Sequence, residues 1–181
     1  MNKKFSIPLS IWSIGIVTLF LNISSVMVFG LSAVYLKSYI GVSMKWIGLL
    51  EGIVEGTAYA LRVLSGVFSD YFRKRKAIIL IGFSLMTLAR PVLALSSGYL
   101  QVFLARLLDR IGNGIQSTPR DALISDVAPK AIRGSCFGLR QALGTAGSCF
   151  GGILGILAMY YTANNFHAVF ALAAIPALLA I

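Results

Sequence analysis

Apolar residues run through this chain in long blocks, most of them of about twenty residues or more, separated by short polar breaks. About twenty such residues form one helical crossing of hydrocarbon. Full spans are predicted at 11–36, 46–68, 77–95, 99–127 and 135–161. A further span opens near Ala168 and runs to Ile181 without a closing polar flank, so it reads as incomplete. The connections are too short for an extramembrane domain. The pattern therefore predicts an all-α, polytopic membrane helix bundle: a single transmembrane domain over 1–181, with five complete spans and part of a sixth.

Polar positions inside the spans recur at helical spacing. In the first span Asn22, Ser25 and Ser32 share one side. They either line a wet cavity or bond their own backbone one turn back. In the second, Gly48, Gly52 and Gly56 make a small-residue ridge that lets another helix approach closely. Beside that ridge, Glu51, Glu55 and Arg62 form a charged stripe. A carboxylate at such depth is costly unless paired or protonated, so these acids read either as members of a permanent ion pair or as proton carriers. Arg90-Pro91 in the third span predicts a kink with a bundle-fixing arginine beside it.

The fourth span is the most polar, with Arg106, Arg110, Asn113, Ser117 and Arg120 on one stripe and Asp109 beside them. Such a face must meet protein or water rather than lipid. The fifth carries Gly147, Gly151 and Gly155 at every fourth position, a second packing ridge, with Arg140 near its start.

Charge sets the orientation. Lys3, Lys4, Arg73, Lys74, Arg75, Lys76, Lys130 and Arg133 fall at one end of the predicted bundle, against Lys37 and Lys45 at the other. Positive residues beside spans are retained inside, which predicts a cytoplasmic N-terminus in a cell membrane, inner or plasma. The same retention accounts for most of the net charge of +10, which in a soluble protein would suggest nucleic acid; no nucleic-acid partner is expected. With 57% hydrophobic residues and 12% charged, the partner is the lipid bilayer. The first apolar run is too long for a cleaved signal core. Cys136 and Cys149 share one predicted helix roughly 20 Å apart, too far to bond to each other within it.

Counting each ionisable residue from the nearer span end sorts them into two layers. Glu51, Glu55, Asp109, Arg90, Arg106 and Arg110 fall in an outer layer; Asp70, Asp121, Asp126, Arg62, Arg120 and Arg140 fall in an inner one. Each sums to zero, as pairing in a low dielectric requires. The expected pairs are Glu51 or Glu55 with Arg90 or Arg106, and Asp70 or Asp126 with Arg120 or Arg140.

Three segments together resemble a known family. Gly66-xxx-Asp70-xxx-Lys74-Arg75 is similar to the loop between helices two and three of the major facilitator superfamily of secondary transporters, with Tyr71 in place of a cation and Arg73 in place of glycine. Arg106 to Gly114 resembles its fourth-helix motif, with Asp109 where Gln is usual and Arg110 where Gly is usual. Gly147-xxx-Gly151-Gly152-xx-Gly155 resembles the fifth-helix motif of its exporters, with Gly152 in place of proline. The resemblance covers the chain as an N-terminal six-helix half, truncated or split. It implies a twelve-helix carrier of two such halves, each an inverted three-helix repeat, with substrate bound between them at mid-membrane. It also implies a cavity lined by helices one and four, and contact with the other half through helices two and five.

On this footing the expected function is secondary active transport of a small organic solute by alternating access, coupled to protons. Asn22, Ser25, Arg106, Arg110, Asn113 and Ser117 are the substrate-pathway candidates, and the cation-rich fourth helix favours an anionic or zwitterionic substrate. Glu51, Glu55 and Asp109 are the proton-coupling candidates. Gly66, Asp70, Lys74, Arg75, Arg120 and Arg140 form the loop motif and its gate. The alternatives are a half-carrier that is inert or needs a missing C-terminal half or partner chain, and a self-associating six-helix membrane protein. No enzyme, cofactor or metal site is expected, since His167 stands alone in an outer connection and reads as a solvated loop residue.

Overall fold

The computed structural model describes residues 7–72 and 74–180; Lys3, Lys4 and Arg73, counted above among the orienting cations, lie outside the described residues. Among these residues there are helices and turns but no strand. Helices α1 (Leu9–Ser38), α2 (Met44–Phe72), α3 (Arg75–Ala94), α4 (Tyr99–Val127) and α5 (Arg133–Tyr161) are the long ones, with a 3₁₀ turn at Lys130–Ile132 before α5. Two short helices follow, α6 (Phe166–Leu172) and α7 (Ala174–Leu179).

The sixth span is thus a broken helix rather than one continuous run from Ala168. Pro176 explains the break. Its nitrogen carries no hydrogen for the carbonyl of Leu172, and its ring crowds that same carbonyl. The chain loosens at Ala173, and the Ser24 hydroxyl of α1 donates to the Ala173 carbonyl at 2.7 Å. Gly41, at φ +78°, lets the chain reverse between α1 and α2, and the Val42 amide donates to the Leu36 carbonyl at 2.9 Å.

By length and composition three segments can cross a membrane: Leu9–Tyr39, Arg75–Ala94 and Lys130–Tyr161. Helices α2 and α4 have the length, 29 residues each, but carry charged stripes that the packing turns inward. Helix α4 lies between α2 and α3, α5 packs along α1, and α6 and α7 cover α1 and α3. Large apolar side chains such as Trp12, Val63, Ile81, Ile153 and Tyr160 remain on the outside, where hydrocarbon would cover them.

Glycines set the closest approaches. A Cβ on Gly112 would lie 2.5 Å from the Gly82 carbonyl oxygen, and one on Gly114 would lie 2.7 Å from that of Ala58, so α4 meets both α3 and α2 backbone to backbone. The Gly147, Gly151 and Gly155 ridge runs along α1 at Leu19, Ile23 and Met27; a Cβ on Gly151 would lie 2.6 Å from the Ile23 carbonyl oxygen.

The other ridge behaves differently from the expectation of helix packing. Gly48, Gly52 and Gly56 are exposed, and a Cβ on any of them would meet nothing within 4 Å. Helix α2 presents its charged stripe to α4, which turns the glycine face outward. No helix among the described residues covers it.

Candidate functional site

Two polar assemblies lie inside the bundle. The first joins α2, α3 and α4 in the half nearer the α1–α2 connection. Arg106 on α4 donates through Nη2 to both carboxylate oxygens of Glu51 on α2, at 2.7 and 2.6 Å, and through Nη1 to the Ser32 hydroxyl of α1 at 3.0 Å. Its guanidinium lies 4.5 Å from the centroid of the Phe29 ring. Arg90 on α3 reaches Asp109 at 2.8 Å, with the two side chains only 2% and 4% exposed. It also donates to the Ser25 hydroxyl at 2.7 Å. Arg110 sits between Glu55 at 3.4 Å and Asp109 at 3.5 Å. All three acids and all three arginines of the expected outer layer therefore meet, and their charges cancel.

Partner choice departs from expectation at Arg90. Its guanidinium takes Asp109 rather than a glutamate, because α3 packs along α4 and only lightly on α2. Ser25 and Ser32 both accept from arginines, so these two members of the first-span stripe serve the charge layer.

Toward the basic end the expected inner pairs are replaced. Asp70 and Asp126 both pair with Arg75, not with Arg120 or Arg140, and Arg75 also donates to the Ala122 carbonyl at 3.2 Å. The reason is positional: Arg75 opens α3 where the ends of α2 and α4 converge, while Arg120 lies nearly two turns deeper. Lys74 is exposed beside it, and Gly66 meets Thr118 of α4, where a Cβ would lie 3.0 Å from Cγ2. The loop motif thus ties α2, α3 and α4 together at that end.

Arg120 and Arg140, expected to pair with Asp70 or Asp126, instead share Asp121, at 3.4 and 4.0 Å. They line the second assembly, a polar cavity of about 320 Å³ where α1, α2, α4 and α5 converge. Of the six pathway candidates, Asn22, Asn113 and Ser117 face this cavity, whereas Ser25, Arg106 and Arg110 belong to the charge layer. Asn22 also donates to the Gly144 carbonyl of α5 at 2.8 Å.

Arg62, grouped by sequence with the glutamates of its own helix, turns into the cavity as well. It donates to Asn113 Oδ1 at 3.4 Å and lies 5.0 Å from the Tyr59 ring centroid. Thr18 and Gln141 complete the lining and were not singled out from sequence. Thr18 stands one turn before Asn22, so extending the α1 stripe by four residues would have found it.

His167 is not a solvated loop residue. It lies in the first turn of α6, with Nδ1 2.9 Å from the Ala94 carbonyl oxygen and the ring edge-on to Tyr35 at 5.5 Å. A carbonyl only accepts, so Nδ1 carries the hydrogen. The contact fastens α6 to α1 and the end of α3.

A helical half with a charged fourth helix, a short basic loop motif and an internal polar cavity fits a transporter fold. The family model described as Major Facilitator Superfamily matches residues 14–181. The chain belongs to this superfamily. It is 32% identical over 166 residues to an uncharacterized MFS-type transporter of Methanocaldococcus jannaschii, covering 92% of this chain and 41% of that protein. It is 35% identical over 98 residues to the arabinose-proton symporter of Bacillus subtilis, covering 54% of this chain and 19% of that one. In structure it is similar to a POT family transporter solved with 5-aminolevulinic acid, at a TM-score of 0.79 and 18% identity, over 98% of this chain and 37% of that one. A peptide transporter POT solved with sulfate gives 0.72 and 18%, over 99% and 37%.

The chain therefore spans about two fifths of the length of its archaeal relative and corresponds to an N-terminal half of the major facilitator fold, a membrane helix bundle of a transporter family. Within that superfamily fold, the polar cavity and the neutral charge layer both have α4 as their common wall.

Proposed function

We propose that this chain forms one wall of a secondary active transporter that moves a small organic solute across a cell membrane by alternating access, with protons as the coupling ion. The observation that carries the reading is the polar cavity beside α1, α2, α4 and α5, with Asn22, Asn113 and Ser117 on its lining. A cavity of polar groups inside a lipid-covered bundle offers a solute the hydrogen bonds it gives up on leaving water. In this reading the chain is multi-pass, its basic end faces the cytoplasm of an inner or plasma membrane, and its role is transport rather than catalysis.

Proton coupling draws support from the charge layer. Glu51, Glu55 and Asp109 each face an arginine, and Arg110 stands between two of them. Protonating one acid frees its arginine to move to another acid or to solute, which links a proton to a conformational step. The similarity to an arabinose-proton symporter supports the same coupling.

The test is uptake by the complete carrier in proteoliposomes under an imposed pH gradient. Glu51→Gln, Glu55→Gln and Asp109→Asn are expected to abolish or strongly reduce gradient-driven uptake while leaving exchange measurable. Full gradient-driven uptake in all three would remove the coupling assignment.

A second reading, a half-carrier that works only with a partner chain or a second copy, is favoured by one specific feature. The Gly48, Gly52 and Gly56 face of α2 is open to close approach and uncovered. Co-expression with a complementary six-helix half, followed by the same uptake assay, separates that reading from a chain that is inert.

A further inference from the structure

The charge around the polar cavity does not balance. Arg62, Arg120 and Arg140 line it together with a single carboxylate, Asp121. No other acid of the chain is available to them. The chain has six acidic residues. Glu51, Glu55 and Asp109 pair within the charge layer, and Asp70 and Asp126 pair with Arg75. Asp121 is split between Arg120 and Arg140, and Arg62, which donates to the amide oxygen of Asn113 and lies over the Tyr59 ring, pairs with no acid among the described residues. The Nε atoms of Arg62 and Arg140 are buried and donate to no acceptor among the described residues.

Resting on the carrier reading above, we propose that this cavity is a binding site for a small organic dianion bearing oxyanion groups, a dicarboxylate or a phosphate monoester. The cavity carries an excess of two positive charges in a setting where uncompensated charge is costly. Two negative charges on the solute cancel it. Guanidinium groups present paired N–H donors that match the oxygens of carboxylate or phosphate. Asn22, Asn113, Ser117 and Gln141 supply neutral hydrogen bonds for the rest of the solute.

The same arithmetic argues against other solutes. A zwitterion needs a carboxylate for its ammonium group, and the one present is already held by two arginines. A neutral sugar would leave the excess charge in place. The cavity, about 320 Å³, lies in the range of small-molecule sites.

The experiment is calorimetric titration of the full chain in lipid nanodiscs with succinate, glucose 6-phosphate, arabinose and glycine. Saturable binding is expected for at least one of the dianions and for neither of the other two. Arg62→Gln and Arg120→Gln should each weaken that binding at least tenfold, Arg62→Lys should restore part of it, and Lys45→Gln, on the exposed surface, should not change it. Circular dichroism of each variant shows whether it is folded, and competition by succinate against glucose 6-phosphate shows whether they share one site.

Preference for arabinose or glycine, absence of dianion binding by the folded chain, or dianion binding indifferent to both Gln variants would each overturn the proposal. Dianion binding without transport by the complete carrier would keep the site and remove the carrier reading. Transport of a neutral solute would do the reverse.

Discussion

Arg90 and Arg75 belong to the same helix and both pair with aspartate, yet burial makes them opposites energetically. The Arg90 and Asp109 side chains are 2% and 4% exposed, whereas Asp70 beside Arg75 is 74% exposed. Removing one member of a buried pair leaves the other charged and unsolvated, which costs about 3–5 kcal/mol; an exposed pair is worth about 0–1 kcal/mol. Arg90→Ala and Asp109→Ala are therefore expected to lower the thermal unfolding transition of the detergent-solubilised chain sharply, while Asp70→Asn leaves it nearly unchanged. Equal shifts for buried and exposed pairs would show that the charge layer does not stabilise the bundle. The meeting of Glu51 with Arg106 was legible in the sequence, because helical spacing gives a side chain's face and depth. The choice of Asp109 by Arg90 was not, because spacing along one helix says nothing about which neighbour stands opposite. His167 was misread for a related reason: a lone polar residue beside a turn carries no periodicity, and only tertiary packing brings Tyr35 and the Ala94 carbonyl to it.

At the scale of helices, the closest pairs repeat a single device with different partners. Helix α5 lays its glycines on α1, and α4 lays Gly112 on α3 and Gly114 on α2. Helix α2 meets α4 through Ala58 and Gly66, so its Gly48, Gly52 and Gly56 ridge is left facing outward. The every-fourth spacing of Gly48, Gly52 and Gly56 revealed a small-residue face but could not reveal what it faces. Gly112→Ala would place a Cβ 2.5 Å from the Gly82 carbonyl oxygen and 2.9 Å from the Met86 amide nitrogen, both rigid backbone. Overpacking of this kind costs about 1–3 kcal/mol. Gly52→Ala meets nothing within 4 Å and is expected to leave the stability of this chain unchanged. Melting curves of the two variants, followed by size-exclusion fluorescence, give the comparison; equal destabilisation would mean that α2 is packed on its glycine face after all. The sixth span teaches the same lesson about range. Its apolar run was legible, and Pro176 marked the place where an uninterrupted helix could not continue, although hydropathy alone carried the span straight through.

For the molecule as a whole, the outer charge layer is neutral while the cavity toward the basic end carries excess charge, and in the carrier reading proposed above it forms one wall of a site that a second half completes. Alternating access works by rocking one wall against another around a fixed site, so a single wall can hold solute without moving it. The chain reconstituted by itself is accordingly expected to show no solute uptake under a pH gradient, and the complementary half is expected to supply it. The open α2 ridge is the natural reporter of which partner arrives. Cys136 is buried and Cys149 exposed, so Cys149→Ser clears the surface of native thiols and Gly52→Cys then places one on the ridge. Mild oxidation should yield no dimer of the chain alone. A thiol scanned along the facing helix of the complementary half should form a cross-link with it at helical spacing, in step with recovery of uptake. A covalent homodimer that transports by itself would reverse the assignment, making this six-helix chain its own second wall.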